Sequence, residues 1–121
     1  MLRKPSSRFK TGTKARYRMQ RHVHEFEGST KLAEEGNDRH NHRFAGVTGQ
    51  AIRSGSSHVH EIVLNRTDFF DHFHKLVKIR TGPAIPVGNG KHVHFVSGRT
   101  TVVDAHRHQF NFATLIDSPL T

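Results

Sequence analysis

The sequence predicts an all-β fold: a pseudo-threefold small closed barrel or prism of three β-hairpin repeats, preceded by a basic arm. Three observations predict it. All twelve histidines of this 121-residue chain fall in His-x-His pairs. A large apolar residue follows each pair two positions later. The pairs also recur with the same neighbours about three times.

Taken in chain order, the first element is the arm, residues 1–21. It contains Arg3, Lys4, Arg8, Lys10, Lys14, Arg16, Arg18 and Arg21 and no acidic residue, so it carries nearly all of the net charge of +9. Such a run points to nucleic acid or another anionic surface, bound through phosphate attraction, or to a solvated tail or an arm laid along a second subunit. Only Phe9 and Tyr17 interrupt it, whereas base-stacking proteins interleave more aromatics with their charge. The remainder, residues 22–121, is nearly neutral and reads as one domain.

The pairs are His22/His24, His40/His42, His58/His60, His72/His74, His92/His94 and His106/His108, followed by Phe26, Phe44, Ile62, Leu76, Val96 and Phe110. In a strand, residues i, i+2 and i+4 share one face. Each unit therefore presents two imidazoles and one hydrophobe on the same side. In a helix the paired rings would diverge. Helix is expected to be minor. Lys31–Glu35 is the one run of helical composition, and Gly36 ends it.

Taken alternately, the pairs give repeats of about 22–57, 58–91 and 92–117. His-Val-His opens each repeat at His22, His58 and His92, and an aspartate precedes each second pair: Asp38, Asp71 and Asp104. Thr48-Gly49-Gln50-Ala51-Ile52 matches Thr81-Gly82-Pro83-Ala84-Ile85 between repeats. The connections are rich in Gly, Ser, Thr and Asn, with Asn89-Gly90 a strong turn signal. Three hairpins follow, and closing them would remove exposed strand edges.

Twelve inward imidazoles point to a transition metal. Neutral imidazole is the commonest metal-ligating side chain, and the chain has no cysteine to supply thiolate. The expected ligands are the twelve histidines named above, and the expected ion is Zn, Cu, Ni, Co or Fe, not Ca or Mg. Four-ligand clusters would give about three ions per chain, and rings of three up to four, fewer if adjacent rings share an ion. Ligating histidines donate their far N–H to a carboxylate or carbonyl. Strand geometry puts Asp38 and Asp104 on the histidine face, which marks them as partners for that role. Without metal, so many buried rings would need a very large hydrogen-bond network.

Enzymatic function is not expected. A catalytic metal needs an open position and a distinct acid or base, whereas these pairs look equivalent. No phosphate-cradling loop, dinucleotide fingerprint or Ser/His/Asp motif is present. The reading is a non-enzymatic metal-binding protein whose sites stabilise the fold. The alternatives are a self-assembling subunit, a homo-oligomer or filament that exchanges residues 1–21 and 113–121, and a nucleic-acid-associated protein using the arm. With no apolar run of membrane-spanning length and no signal-peptide core, the default location is cytoplasmic, with spore or extracellular release as alternatives.

The stretches HVHEFEGSTKLAEE, HRFAGVTGQAI, GKHVHFVSGRTT and HQFNFATLI resemble the YmaF family of small histidine-rich bacterial proteins. The resemblance covers roughly residues 22–117 and implies a bacterial, spore-forming or related source. It brings no established activity. The basic arm departs from the Cys/His/Tyr-containing N-termini of some members, so it implies no role for residues 1–21.

Overall fold

The computed structural model describes residues 21–119, so the basic arm up to residue 20 lies outside the described residues. The chain is all-β. Its strands are β1 (Val23–Ser29), β2 (Arg43–Val47), β3 (Ile52–Ser54), β4 (Ser57–Val59), β5 (Glu61–Arg66), β6 (Lys75–Arg80), β7 (Ala84–Gly88), β8 (Lys91–Arg99), β9 (Gln109–Ala113) and β10 (Asp117–Ser118). They pair antiparallel in small sheets ordered β10-β1-β2, β3-β4, β5-β6 and β7-β8-β9.

Three hairpins, β1-β2, β5-β6 and β8-β9, carry the histidine pairs. In the first, Phe26 opposes Gly46 and Gly28 opposes Phe44. That register puts His22 and His24 at one end of the hairpin and His40 and His42 at the other, with the apolar residues between. The third hairpin repeats this with Gly98 opposite Phe110 and Val96 opposite Phe112. The segment paired in the middle hairpin is one residue longer on each side, Glu61–Arg66 against Lys75–Arg80. Its ladder omits Val63 and Lys78, and Lys78 takes a φ of 53°.

The core is built from the residues that follow the pairs. Phe26, Phe44, Ile62, Leu76, Val96 and Phe110 form one buried cluster, with Ile79 and Phe112 packed against it. The Phe26 and Phe112 rings stack at 5.5 Å. Gly28 and Gly98 make room for this packing, because a Cβ at either would sit 3.1 Å from the Cζ of Phe44 or Phe110.

The hairpins do not close into a barrel, which corrects that part of the expected architecture. Continuous ladders run only within a sheet. Between hairpins the backbone is joined at single residues: Gly49, Gly82 and Leu115 donate N–H to the carbonyls of Glu61, Phe95 and Glu25. At the far end Asp68, Thr101 and Lys31 donate to Arg43, Lys75 and Gln109. The core side chains and the histidine rings of all three hairpins meet between them, so side-chain packing and these single bonds, not further ladders, join the hairpins.

One further expectation changes. Lys31–Glu35 is not helical: Ala33 bridges to His40 and Glu34 adopts a left-handed φ of 72°, which no α-helix admits. A short 3-10 turn follows at Gly36–Asp38. Within the single chain, part of the C-terminal segment 113–121 pairs with β1 through Val23 with Ser118 and His24 with Asp117. Residues 120–121 lie outside the described residues.

Candidate metal centre

The twelve histidines gather into two nests, one at each end of the apolar core. His22, His24, His58, His60, His92 and His94 form the first. His40, His42, His72, His74, His106 and His108 form the second, judged by their ring contacts. Each hairpin gives one pair to each nest. The alternation that put both imidazoles of a pair on one strand face is therefore what directs them to a common point.

In each nest the second histidine of every pair lies deeper. His24, His42, His60, His74 and His94 are wholly buried and His108 almost so. The others form an outer triangle. In the first nest the outer Nε2 atoms of His22, His58 and His92 stand 3.1, 3.1 and 3.2 Å apart. Inner-to-outer Nε2 separations are 3.1 Å for His24–His92, 3.2 Å for His60–His22 and 3.2 Å for His94–His58.

The inner rings are also evenly spaced, with centroids 4.5 Å apart for His24–His60, His24–His94 and His60–His94. Every ring lies beside all the others of its nest but one: His22 is across from His94, His24 from His58, and His60 from His92. That is the adjacency of an octahedron. One ligand nitrogen from each of these six residues lies within 4.8 Å of all the rest.

The rings of the second nest have the same adjacency, and one ligand nitrogen from each of His40, His42, His72, His74 and His108 lies within 4.8 Å of the others, with His106 outside that limit. The Nε2 separations in this nest are 3.3 Å for His42–His72, 3.0 Å for His72–His74 and 3.2 Å for His72–His106, His74–His106 and His106–His40. The opposed rings are His40 and His74, His42 and His106, and His72 and His108.

What aims the inner rings is a threonine latch that the sequence reading left out. Thr48, Thr30, Thr81, Thr67, Thr114 and Thr100 are buried and stand opposite His24, His42, His60, His74, His94 and His108. Each threonine N–H donates to the histidine carbonyl, and each histidine N–H donates to the threonine Oγ1 at 2.9–3.1 Å. The residue after each threonine then offers its carbonyl to an inner Nδ1 of the adjacent hairpin. Leu115, Gly49 and Gly82 accept from His24, His60 and His94 at 2.8–2.9 Å. Asp68, Thr101 and Lys31 accept from His42, His74 and His108 at 3.2, 2.8 and 2.9 Å. A signal for the latch was present: threonine stands six residues after His24, His42, His94 and His108 and seven after His60 and His74.

These carbonyls fix the tautomer. A neutral imidazole has one donor nitrogen and one acceptor nitrogen. With Nδ1–H committed outward, the lone pair is on Nε2 and points into the nest. Burial lowers the pKa of His24, His60 and His108 to about 4, overcoming the opposing pull of their carbonyl partners. Burial also lowers His22, His42, His58, His74 and His94. These rings are neutral at pH 7.

Asp38 and Asp104, singled out from sequence, sit in the outer shell of the second nest. The Asp38 carbonyl, not its carboxylate, accepts from His40 Nδ1 at 2.7 Å. The Asp104 carbonyl accepts from His106 Nδ1 at 3.2 Å, while its carboxylate lies 3.6 Å from His72 Nδ1. Three more carboxylates, not singled out beforehand, stand close: Asp68 Oδ1 is 3.3 Å from His42 Nδ1, Asp117 Oδ1 is 3.6 Å from His92 Nδ1, and Glu34 Oε2 is 3.6 Å from His106 Nδ1.

Comparison with known proteins gives one finding. The family model YmaF, described as spore germination protein GerY/YamF, matches residues 19–116. Neither the curated proteins nor the solved structures gave a match.

Proposed function

The chain belongs to the YmaF family, and from that premise and the geometry of its imidazoles we propose a non-enzymatic transition-metal-binding protein. Each six-histidine nest holds one divalent ion, and the two ions fasten three hairpin repeats about a common axis.

One observation carries the reading. In the second nest the Nδ1 atoms of His40, His42, His74, His106 and His108 all face carbonyls. Their five Nε2 lone pairs therefore converge, and only the His72 ring has a proton to offer them. Acceptors cannot satisfy acceptors, and the Nε2 of His108 is left buried without a partner. A cation at the centre accepts all six lone pairs at once. An octahedron with edges of this size has its centre about 2.2 Å from each vertex, close to ordinary metal–imidazole distances of roughly 2.0–2.1 Å.

The donor set narrows the ion. Six nitrogens in octahedral array suit Fe²⁺, Co²⁺ or Ni²⁺ better than Zn²⁺, which favours four ligands, or Cu²⁺, which favours a tetragonal field. Six protein ligands also leave no position for water or substrate, which supports a structural role over a catalytic one. The family description supports a spore-related setting.

The test is elemental analysis of protein purified without a histidine tag. We expect about two ions per chain, and a chelator should lower the thermal midpoint. A ratio near zero, with stability indifferent to chelator, overturns the reading.

A further inference from the structure

Among the described residues the two nests differ at their mouths. Around the second, the residue after each isolated bridge is acidic and left-handed: Glu34 (φ 72°), Asp71 (φ 67°) and Asp104 (φ 52°) follow Ala33, Phe70 and Val103. Left-handed backbone is costly for residues other than glycine and persists where the surroundings impose it. Here it turns carboxylates toward the outer triangle of rings. Glu34 Oε2 stands 3.6 Å from His106 Nδ1, Asp104 Oδ2 stands 3.6 Å from His72 Nδ1, and Asp71 Oδ2 stands 3.9 Å from that same nitrogen. Together with Asp38 they line a cavity of about 420 Å³ in front of the nest.

His72 marks this cavity as more than an acidic surface. Its side chain is nine-tenths buried, and its Nδ1 is buried with no hydrogen-bond partner. His40 and His106, the other outer rings, have their Nδ1 atoms tied to carbonyls. His72 alone of this triangle presents one nitrogen to the nest and a second, free nitrogen to the carboxylates. Asp71, His72 and Asp104 offer ligand atoms within 4.8 Å of one another. Among the described residues the mouth of the first nest does not repeat this chemistry: beside His92, Asp117 is already ion-paired with Lys91 at 3.8 Å.

We propose that Glu34, Asp71 and Asp104 form a loading mouth that captures a hydrated divalent cation and passes it, by way of the free face of His72, to the second nest. The proposal rests on the reading of the nests as metal sites. Carboxylates hold hard, hydrated ions loosely, and imidazoles displace the water as the ion moves inward. His72 has no Nδ1 bond to break and is the ring free to turn during the transfer. Converging negative charge also raises the local cation concentration and the rate of capture, an effect that salt weakens.

The test adds Co²⁺ to metal-stripped full-length protein and follows its absorption by stopped flow, with final occupancy from elemental analysis. The triple variant E34Q/D71N/D104N should load one of the two ions about tenfold more slowly, and added salt should slow the parent more than the variant. Final occupancy should stay at two ions. Glu27→Gln, which removes a charge from an exposed position on β1, should leave the rate unchanged. Should the triple variant lose its far-ultraviolet circular dichroism, Asp104→Asn alone serves, with the same salt comparison. Unchanged loading, or equal slowing by Glu27→Gln, overturns the proposal. Loss of one ion at equilibrium overturns it too, by making the carboxylates permanent ligands. If the parent takes up no Co²⁺ at all, the nest reading itself fails.

Discussion

The threonine latch explains how so many imidazoles are held at 3 Å from one another. Each latch threonine accepts the N–H of an inner histidine, and all but Thr30 also donate Oγ1–H to the carbonyl that receives a neighbouring Nδ1. Thr48→Val keeps the shape but leaves the buried His24 N–H without its side-chain acceptor. We expect a loss of about 1–3 kcal/mol in denaturant unfolding. Ring orientation should suffer as well, lowering metal affinity about 10–100-fold, because outer partners of this kind tune metal ligands. Competition with a chromophoric chelator measures it, and an affinity equal to that of the parent would contradict the latch.

Acid acts at the same scale. His24, His60 and His108 have folded pKa values near 4 against an unfolded value of 6.5, so below 6.5 the unfolded chain binds more protons. Their contribution to stability is present above 6.5 and is lost as pH falls through that value toward about 4. Protons compete with metal for the same nitrogens, so metal release has the same sign. The denaturant midpoint should therefore fall steadily between about pH 6.5 and 4, and a flat profile would refute this.

At the scale of the element, strand alternation made the pairs and the core legible in advance. Period two puts Phe26 on the face of His22 and His24, and the buried cluster consists of the six residues at that position. Alternation could not say how hairpins meet, because that depends on single carbonyls after Thr48, Thr81 and Thr114. Of the barrel or prism expected from the sequence, the closed barrel therefore does not form, and three separately laddered hairpins stand in its place. Equivalence read along the chain also placed Asp38 beside Asp71 and Asp104. In space Glu34 takes that position, because the first connection contains the extra turn Gly36–Asp38. Glycine at the inner face was equally invisible to a pattern of hydrophobes. A Cβ on Gly46 would lie 2.9 Å from Phe26 Cζ and 2.9 Å from Asn65 Oδ1, so Gly46→Ala should cost about 1–3 kcal/mol by overpacking. Its thermal midpoint should drop, whereas a midpoint equal to the parent's would show that the core can yield.

Over the whole molecule the two nests differ in how the chain closes them. The second is assembled from internal connections, whereas the first takes His22 and His24 from the first of the described residues and depends on the last of them. Leu115 supplies the carbonyl for His24 Nδ1 and an N–H for Glu25, and Asp117 accepts from the His92 N–H at 3.1 Å. Removing residues 115–121 takes all of these, together with the pairing of β10 on β1, and leaves Thr114 and the second nest intact. One ring loses its tautomer-fixing partner, and the strand carrying His22 and His24 loses a neighbour. The truncated chain should therefore retain about one ion in place of two, held by the nest of His40, His42, His72, His74, His106 and His108. Elemental analysis checks the ratio. Retention of both ions would mean that the outer carbonyls are dispensable, and loss of both would mean that the nests fold and fill as one unit. A ratio of one would establish that the apolar core between them insulates each site from the other.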